Sequence, residues 1–268
     1  MKLPYAVSLT ALAIALFNNT ANAQLAVPNA EGISGGHTHL VVPDIAKHRE
    51  IWKAFGAVEK TSGRLQLLGF PGMYILLREG TPALGSGLTS ANHIGFNIND
   101  YATFKAKLVA IGVTNYVVDD ATNGQILADL PDGVRIEFNV DKAQTVPIMF
   151  HHTHIAALDG GTLRDWYVKV FGAEVGERRG LPSAVIPGAR VDFLPARGEA
   201  PKGSAGNAID HIGFEVADMA AFKTKMDGMG IKFDRGPERR DDINLTIGFI
   251  TDPVGTSIEI TQGLDDVK

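Results

Sequence analysis

The 268-residue sequence contains no cysteine. Disulfides, thiol catalysis and cysteine-ligated metals are therefore excluded. The sequence also lacks an excess of basic residues, since its formal net charge is -5 and its pI is about 5.9. A chain of this charge has no electrostatic footprint for nucleic acid or for an anionic membrane, so neither is expected as a partner. The partner that we expect instead is a small-molecule substrate.

Long apolar stretches are also scarce, and the clearest is the run from Ala6 to Phe17, which follows Lys2. This run is shorter than the ~20 apolar residues that a membrane-spanning helix needs. It precedes Ala21-Asn22-Ala23, which has the small-x-small form of a signal-peptidase site. We predict that residues 1–23 are a secretory signal peptide and that residues 24–35 are a loose leader. The mature protein is then expected to be secreted or periplasmic.

The rest of the chain repeats one order of elements four times. Each copy opens on an alternating, histidine-bearing strand, continues with a helix, and ends with two or three further strands. The helices are predicted from apolar residues at helical spacing and from a glycine at the end, as with Ile45, Trp52 and Phe55 before Gly56. This pattern predicts an α+β fold made of four βαβββ units.

Equivalent residues keep a nearly constant separation between the two halves of the chain. The intervals are 115 residues from His37 to His152, 118 from His93 to His211, and 122 from Glu137 to Glu259. An internal duplication explains this regularity, with the drift absorbed in loops. We therefore predict an N-terminal module at residues 36–142 and a C-terminal module at residues 150–262, with the boundary between 141 and 149.

Histidine is concentrated in the first strands of these units. Of the 8 histidines, only His48 is predicted on a helix, where we expect it to be solvated; the others are His37, His39, His93, His151, His152, His154 and His211. Each half also has a strand with a glutamate after a glycine turn, Glu137 or Glu259. Two imidazoles and one carboxylate, with open positions left over, form a set that holds Fe, Mn, Ni or Zn as the divalent ion.

Strand parity leaves several choices open. His37 and His39 share one face of their strand, and so do His152 and His154, so either member of each pair could be the ligand. Asp192 and Glu215 could be additional ligands or proton-transfer groups. Five arginines of the second half could orient an anionic substrate or form exposed salt bridges: Arg178, Arg179, Arg190, Arg239 and Arg240.

These motifs resemble the vicinal oxygen chelate superfamily, which includes glyoxalase I, extradiol ring-cleaving dioxygenases and bleomycin or fosfomycin resistance proteins. The resemblance covers about residues 36–262 and implies tandem modules, each built of two βαβββ units that form a curved-sheet cup around a metal. In the family the first ligand lies seven residues before the aspartate that starts the helix. The resemblance therefore selects His37, before Asp44, and His152, before Asp159, over His39 and His154.

The later ligands are implied by His93-Ile94-Gly95 and His211-Ile212-Gly213, and by the strands that end at Glu137 and Glu259. The expected metal set is led by His152, His211 and Glu259, to which His37, His93 and Glu137 can be added. Glu259 and Glu137 are the expected catalytic residues.

Three functions stay open from the sequence. The leading one is an exported metal-dependent lyase, isomerase or hydrolytic enzyme whose substrate is chelated through adjacent oxygens. The second is a non-haem iron dioxygenase, although Phe249 stands where the signature of extradiol dioxygenases has a tyrosine. The third is a non-catalytic binding or resistance module of the periplasm.

Overall fold

The computed structural model describes residues 24–196 and 198–267. The predicted signal peptide, residues 1–23, lies outside the described residues. The described chain has the α+β composition and the four βαβββ units that the sequence predicts. Among the helices in these ranges, none has the length and apolar content needed to cross a membrane.

The two units of the N-terminal half have matching elements. The first comprises β1 (Ile33–Val42), α1 (Ile45–Phe55), β2 (Val58–Ser62), β3 (Leu65–Phe70) and β4 (Met73–Glu79). The second comprises β5 (Ala91–Ile98), α2 (Tyr101–Ala110), β6 (Tyr116–Asp120), β7 (Gln125–Asp129) and β8 (Arg135–Val140).

The C-terminal half repeats this order. Its first unit comprises β9 (Ile148–Ala157), α3 (Gly160–Phe171), β10 (Glu174–Arg178), β11 (Leu181–Ile186) and β12 (Ala189–Pro195). Its second unit comprises β13 (Ile209–Val216), α4 (Met219–Gly228), β14 (Arg235–Arg240), β15 (Leu245–Thr251) and β16 (Ser257–Gln262).

The strands form two 8-stranded sheets, and each sheet combines one unit from each half. The first sheet has the order β14-β15-β16-β13-β1-β4-β3-β2, and the second has the order β10-β11-β12-β9-β5-β8-β7-β6. The central pairs, β1 with β13 and β5 with β9, are antiparallel. The predicted boundary at 141–149 falls between β8 and β9, and both sheets cross it.

The two larger hydrophobic cores follow the halves rather than the sheets, whereas a third, smaller cluster joins Leu76 of β4 to Leu245 of β15 within the first sheet. One large cluster joins α1 and α2 to strands of the N-terminal half, with Trp52, Phe55, Phe96 and Phe138 fully buried. A second cluster joins α3 and α4 to strands of the C-terminal half. Because the cores hold each half together and the sheets join the halves, a side chain from one half can meet side chains of the other on one sheet.

The aspartates at the helix starts act as N-caps. The side chain of Asp44 accepts a hydrogen bond from the backbone N–H of Lys47, and the side chain of Asp159 accepts one from Thr162. Asp100 and Asp218 cap α2 and α4 in the same way. An N-cap of this type stabilises a helix by about 1 kcal/mol. The caps fix where β1 and β9 end, and so fix the position of the histidines inside those strands.

Candidate metal centres

A histidine, a glycine and a glutamate lie in one row across the first sheet. His37 of β1 pairs with Gly213 of β13, and Gly213 pairs on its other side with Glu259 of β16. The strands β1 and β16 lie on either side of β13 and are therefore two strand spacings apart, about 10 Å. The two long side chains reach over the glycine, so that His37 Nε2 lies 2.8 Å from Glu259 Oε2.

The second sheet has the same row. His152 of β9 pairs with Gly95 of β5, and Gly95 pairs with Glu137 of β8. The distance from His152 Nε2 to Glu137 Oε2 is 2.6 Å. The two rows use equivalent residues of the duplicated chain. The same histidine–glutamate contact therefore occurs once in each sheet.

The first centre consists of His37, His211 and Glu259. His211 lies two residues before Gly213 on the same face of β13, and its Nε2 is 3.0 Å from Glu259 Oε2. The three ligand atoms all lie within 4.8 Å of one another, and all three residues are buried. They line a cavity of 490 Å³ whose other walls include Leu76, Phe249 and several further apolar side chains.

The second centre consists of His93, Glu137, His152 and His154. The Nε2 atoms of His93 and His154 lie 3.5 and 3.8 Å from Glu137 Oε2. All four ligand atoms lie within 4.8 Å of one another. His93, Glu137 and His154 line a cavity of 670 Å³ that also has arginine side chains in its wall.

The six ligands expected from the sequence are thus brought together, but in a different grouping. The leading set of His152, His211 and Glu259 does not form, because β9 pairs with β5 and not with β13. His152 joins His93 and Glu137 in the second sheet, whereas the equivalent His37 joins His211 and Glu259 in the first. The first centre takes His37 from the N-terminal half and its other two ligands from the C-terminal half, whereas the second takes His152 and His154 from the C-terminal half and its other two ligands from the N-terminal half.

The second ring nitrogen of two ligands is held by a neighbouring side chain. His211 Nδ1 lies 2.6 Å from Asp210 Oδ1, whereas His93 Nδ1 lies 2.8 Å from the neutral Asn92 Oδ1. Burial opposes a charge on His211, but hydrogen bonds with Asp210 and Glu259 raise its pKa to about 9. The first centre therefore has more negative charge around its histidines than the second.

The second centre has two supports of its own. His151 Nδ1 lies 2.9 Å from His152 Nδ1, and the Gln125 amide donates a hydrogen bond to Glu137 Oε1. The register between β5 and β9 shifts between Gly95 and Phe96. This β-bulge places His151 beside His152 instead of on the opposite face. Simple strand alternation places neighbouring residues on opposite faces and could not predict this contact. The two adjacent histidines, His151 and His152, were the only feature of the sequence that pointed to it.

Burial and charge make the second centre suited to a cation. Burial lowers the pKa of His152 to about 3 and lowers that of His154 as well, so both rings are neutral at pH 7. Burial would raise the pKa of Glu137, but hydrogen bonds with His152 and His93 hold it well below its usual range. The imidazole N–H groups that donate to this buried carboxylate surround one of its oxygens, and a divalent ion at their common point would replace these protons.

The first centre fits a cation for a related reason. Burial would raise the pKa of Glu259, but hydrogen bonds with His211 and His37 hold it well below its usual range. His37 Nδ1 is buried and has no hydrogen-bond partner among the described residues. Three nitrogen and oxygen ligands with room beside them are the donor set of a catalytic divalent metal, so the residues fit the metal that the sequence predicts.

The other candidate ligands lie outside these groups. His39 Nδ1 lies 3.2 Å from His211 Nε2 but is not among the converging atoms, and Asp192 forms an ion pair with Arg178. Glu215 is buried against Thr261 and the backbone of the C-terminal segment, where it accepts hydrogen bonds. His48 was expected to be solvated, which is wrong.

His48 is fully buried, and its Nε2 lies 3.0 Å from Asp132 Oδ2. Four of the five arginines named from the sequence fall in two places. Arg239 and Arg240 form exposed salt bridges with nearby aspartates. Arg178 and Arg179 line the cavity of the second centre.

Comparison with known proteins agrees with this fold. Residues 149–260 match the family model of the Glyoxalase/Bleomycin resistance protein/Dioxygenase superfamily, which confirms the resemblance for the C-terminal half. No match was found among curated proteins.

Solved structures with this fold include glyoxalase I from Zea mays, with a TM-score of 0.66 and 16% identity, covering 87% of this chain and 94% of that one. A protein described as a "putative dioxygenase" from Bacillus subtilis has a TM-score of 0.62 and 13% identity, covering 89% and 86%. At these identities the similarity establishes the fold alone.

Proposed function

We propose that this chain, whose residues 149–260 belong to the Glyoxalase/Bleomycin resistance protein/Dioxygenase superfamily, is an exported divalent-metal-dependent enzyme. Its substrate is a small molecule that presents two adjacent oxygens. The reaction is of the glyoxalase-like lyase, isomerase or hydrolytic type. The observation that supports this most is the convergence of His37, His211 and Glu259 on one point inside a cavity of 490 Å³.

The first centre is the better candidate for catalysis because Glu259 keeps one oxygen free. Both hydrogen bonds of its carboxylate, with His37 and His211, go to Oε2, and no described residue bonds Oε1. In the second centre, Glu137 Oε1 accepts a hydrogen bond from Gln125. Glu259 Oε1 can therefore face a substrate, whereas both oxygens of Glu137 are engaged.

The proposed chemistry is proton transfer next to a carbonyl group. Bound at the first centre, a divalent ion supplies Lewis-acid stabilisation of the negative charge that develops on the adjacent oxygens. Glu259 Oε1 takes the proton from the carbon beside the carbonyl, and the electron pair moves to the carbonyl oxygen. A proton then passes from the substrate's hydroxyl oxygen to its former carbonyl oxygen, so that the new carbonyl forms at the carbon that lost its hydrogen, and the protonated Glu259 returns its proton to the neighbouring carbon. His37 and His211 hold the carboxylate in position, and the apolar side chains of Leu76 and Phe249 limit water in the cavity.

Exchange of substrate hydrogen for deuterium tests this proposal. Dihydroxyacetone, which has adjacent oxygens and an acidic C–H, is incubated in D₂O with the metal-loaded protein and followed by NMR. We expect exchange with the wild type and with Glu137→Gln, and loss of exchange with Glu259→Gln. Equal exchange in both variants would contradict the role of Glu259. Absence of exchange in the wild type would contradict proton transfer with this class of substrate.

A dioxygenase is the second candidate, and the ligand set of the first centre favours it. Two histidines and one carboxylate with open positions form the facial set of non-haem Fe(II) oxygenases. The ring of Phe249 packs edge-on against His211, with the centroids 5.2 Å apart, and offers no hydroxyl for proton transfer at that position. Turnover of a substrate in the absence of oxygen would exclude this candidate. A non-catalytic binding module remains the third, and it predicts ligand binding without product.

Export is supported by the apolar run from Ala6 to Phe17 and by Ala21-Asn22-Ala23. The proposal places the enzyme in the periplasm or outside the cell. Sequencing the amino terminus of the protein after expression with its full leader tests this. Export predicts a mature chain that starts at Gln24, and a chain that retains Met1 to Ala23 would contradict it.

A further inference from the structure

We infer that the second centre uses His154 as a fourth protein ligand and holds its metal more tightly than the first centre, which has three ligands. The inference rests on the metal dependence proposed above. It gives the two centres different tasks. The second keeps a resident ion, and the first binds an exchangeable ion with a position left for substrate.

His154 meets the geometric requirements of a ligand. Its Nε2 lies 3.8 Å from Glu137 Oε2, and its ring lies 4.4 Å from His93 and 4.6 Å from His152 between centroids. Ligand atoms arranged tetrahedrally around an ion at ~2.1 Å are about 3.4 Å apart, so only small side-chain movements are needed. The side chain is buried, and its Nδ1 has no hydrogen-bond partner among the described residues.

His39 is the matched residue of the first centre, and it does not converge. It follows His37 by two positions, as His154 follows His152, and it pairs with His211 as His154 pairs with His93. His39 is only partly buried, however, and its Nδ1 faces His211 Nε2 at 3.2 Å. Its nearest atoms therefore point at another ligand rather than at the common point of the centre.

The neighbouring strand explains the difference. Beside His39 stands Leu76 of β4, whereas beside His154 stands Asp192 of β12. Arg178 Nη1 donates hydrogen bonds to Asp192 Oδ2 at 3.2 Å and to His154 Nε2 at 3.4 Å, so a charged pair closes the outer side of His154. A metal ion bound to His154 Nε2 would replace the second of these hydrogen bonds. The apolar Leu76 offers His39 no such contact.

Asp192 is itself a possible fourth ligand, but it is already engaged. Ser183 donates a hydrogen bond to its Oδ1, and Arg178 donates one to its Oδ2. The Oδ2 atom is 3.9 Å from His154 Nε2, and Asp192 is not in the converging group. The geometry therefore favours His154, with Asp192 and Arg178 positioning it.

Four protein ligands saturate a tetrahedral ion, whereas three leave one position open. Both centres have outer contacts of the kind that typically raise metal affinity 10- to 100-fold, with Gln125 on Glu137 and His151 on His152 in the second and Asp210 on His211 in the first. The difference between the centres therefore rests on the number of ligands. The second centre should therefore retain its ion under conditions that strip the first.

Chelator competition on the Co²⁺-loaded mature chain tests the inference. Four-coordinate tetrahedral Co²⁺ absorbs strongly in the visible range, and five- or six-coordinate Co²⁺ absorbs weakly. We expect two affinity classes in the wild type, with the tight class giving the strong bands. In His154→Ala, the Co²⁺ affinity of the tight site should fall about 10- to 100-fold and its visible bands should weaken. In the matched His39→Ala, the affinity and the bands of the tight site should stay unchanged.

The outcomes separate the inference from the proposed function. If Glu137→Ala releases the tightly bound ion but His154→Ala changes neither affinity nor bands, the assignment of His154 as the fourth ligand is wrong, and the metal dependence stands. If the wild type binds no Co²⁺, the proposed function fails first. Circular dichroism checks folding, and His154→Gln replaces the alanine variant if that variant unfolds. A single affinity class in the wild type would also overturn the inference.

Discussion

The ring of His37 occupies the space where Gly213 would carry a side chain. A Cβ added to Gly213 would lie 2.1 Å from the His37 ring, and one added to Gly95 would lie 2.0 Å from the His152 ring. In each His-Ile-Gly motif, the histidine is a candidate ligand and the glycine makes room for a second candidate ligand on the neighbouring strand. The glycine is therefore required by packing across strands.

Replacing either glycine by alanine should disable one centre. In Gly213→Ala the His37 ring must leave its place over the strand, and in Gly95→Ala the His152 ring must do so. We expect each variant to lose one bound metal ion and about 1–3 kcal/mol in the free energy of unfolding. Gly228 at the end of α4 is the matched control, because a Cβ there meets nothing within 4 Å. Gly228→Ala should keep both ions and be neutral or slightly stabilising. Retention of both ions by Gly95→Ala and Gly213→Ala would contradict the packing role.

Much of this arrangement could be predicted from the sequence because the chain repeats itself. The alternation around Glu137 and Glu259 indicated their faces, and the family resemblance selected His37 and His152 by their position seven residues before Asp44 and Asp159. All six predicted ligands lie in one centre or the other. The duplication also predicted four units of the same element order, which the structure has.

The grouping of ligands could not be predicted in the same way. The interval between His37 and His152 is the same whether β9 pairs with β13 or with β5. Pairing between distant strands depends on tertiary contacts that local patterns do not encode. The sequence also left the choice between His152 and His154 open, because the two share a face of their strand. In the structure both belong to the second group, whereas His39 lies outside the first.

His48 is a second case in which local pattern was insufficient. Its position on α1 suggested a solvated residue, yet it is buried against Asp132 in the Pro-Asp-Gly turn before β8. The equivalent positions of the C-terminal half are Leu163 and Val254, so an apolar pair replaces the polar one. Only the three-dimensional contact reveals that the two polar residues depend on each other.

Removing the partner of His48 should therefore destabilise the fold. Asp132 has a positive φ of 67°, so Asp132→Gly is tolerated by the backbone but leaves a buried imidazole nitrogen without a partner. We expect a loss of about 1–3 kcal/mol in urea unfolding. The same change in a His48→Leu background should cost less, because no polar group is then left unpaired. Equal costs in the two backgrounds would show that the pair does not contribute through its hydrogen bond.

The charge on Asp210 should control metal affinity at the first centre. Asp210→Asn keeps a hydrogen-bond acceptor beside His211 Nδ1 but removes the negative charge that strengthens the ligand. We expect Zn²⁺ affinity at this centre to fall about 10- to 100-fold, with no change at the second. Asp210 also forms an ion pair with Arg78, so Arg78→Gln is the control and should change affinity little. Equal losses in both variants would assign the effect to the ion pair.

Glu215 should make stability depend on pH. Burial raises its pKa to about 7, against hydrogen bonds from Thr261 and from the backbone of Gly263 and Leu264. Because this folded pKa lies above the ordinary value of 4.5, the folded state holds the proton more tightly, and its stability falls as pH rises from about 4.5 through 7. The difference corresponds to about 3 kcal/mol.

Glu215→Gln tests this titration by urea unfolding at pH 5 and pH 8. The amide can donate and accept hydrogen bonds like the protonated acid, but it does not titrate. The free energy of unfolding of the variant, relative to that of the wild type, should therefore rise by about 3 kcal/mol between pH 5 and pH 8. Glu238→Gln, a substitution on an exposed strand, is the control and should show no such gain. A constant difference between Glu215→Gln and the wild type at both pH values would mean that Glu215 is not protonated in the folded protein.

We propose that the protein holds two cations, each with ligands drawn from both halves of the chain. Metal content per chain, measured after saturation with Zn²⁺ and removal of excess ion, is the decisive measurement. We expect two equivalents in the wild type and one in either Glu137→Ala or Glu259→Ala. The double variant His37→Ala/Glu259→Ala should keep one equivalent, because both changes fall in one centre, whereas His152→Ala/Glu259→Ala should keep none. The proposal is contradicted if the wild type binds no zinc. It is also contradicted if the His152 double variant keeps one equivalent and the His37 double variant keeps none.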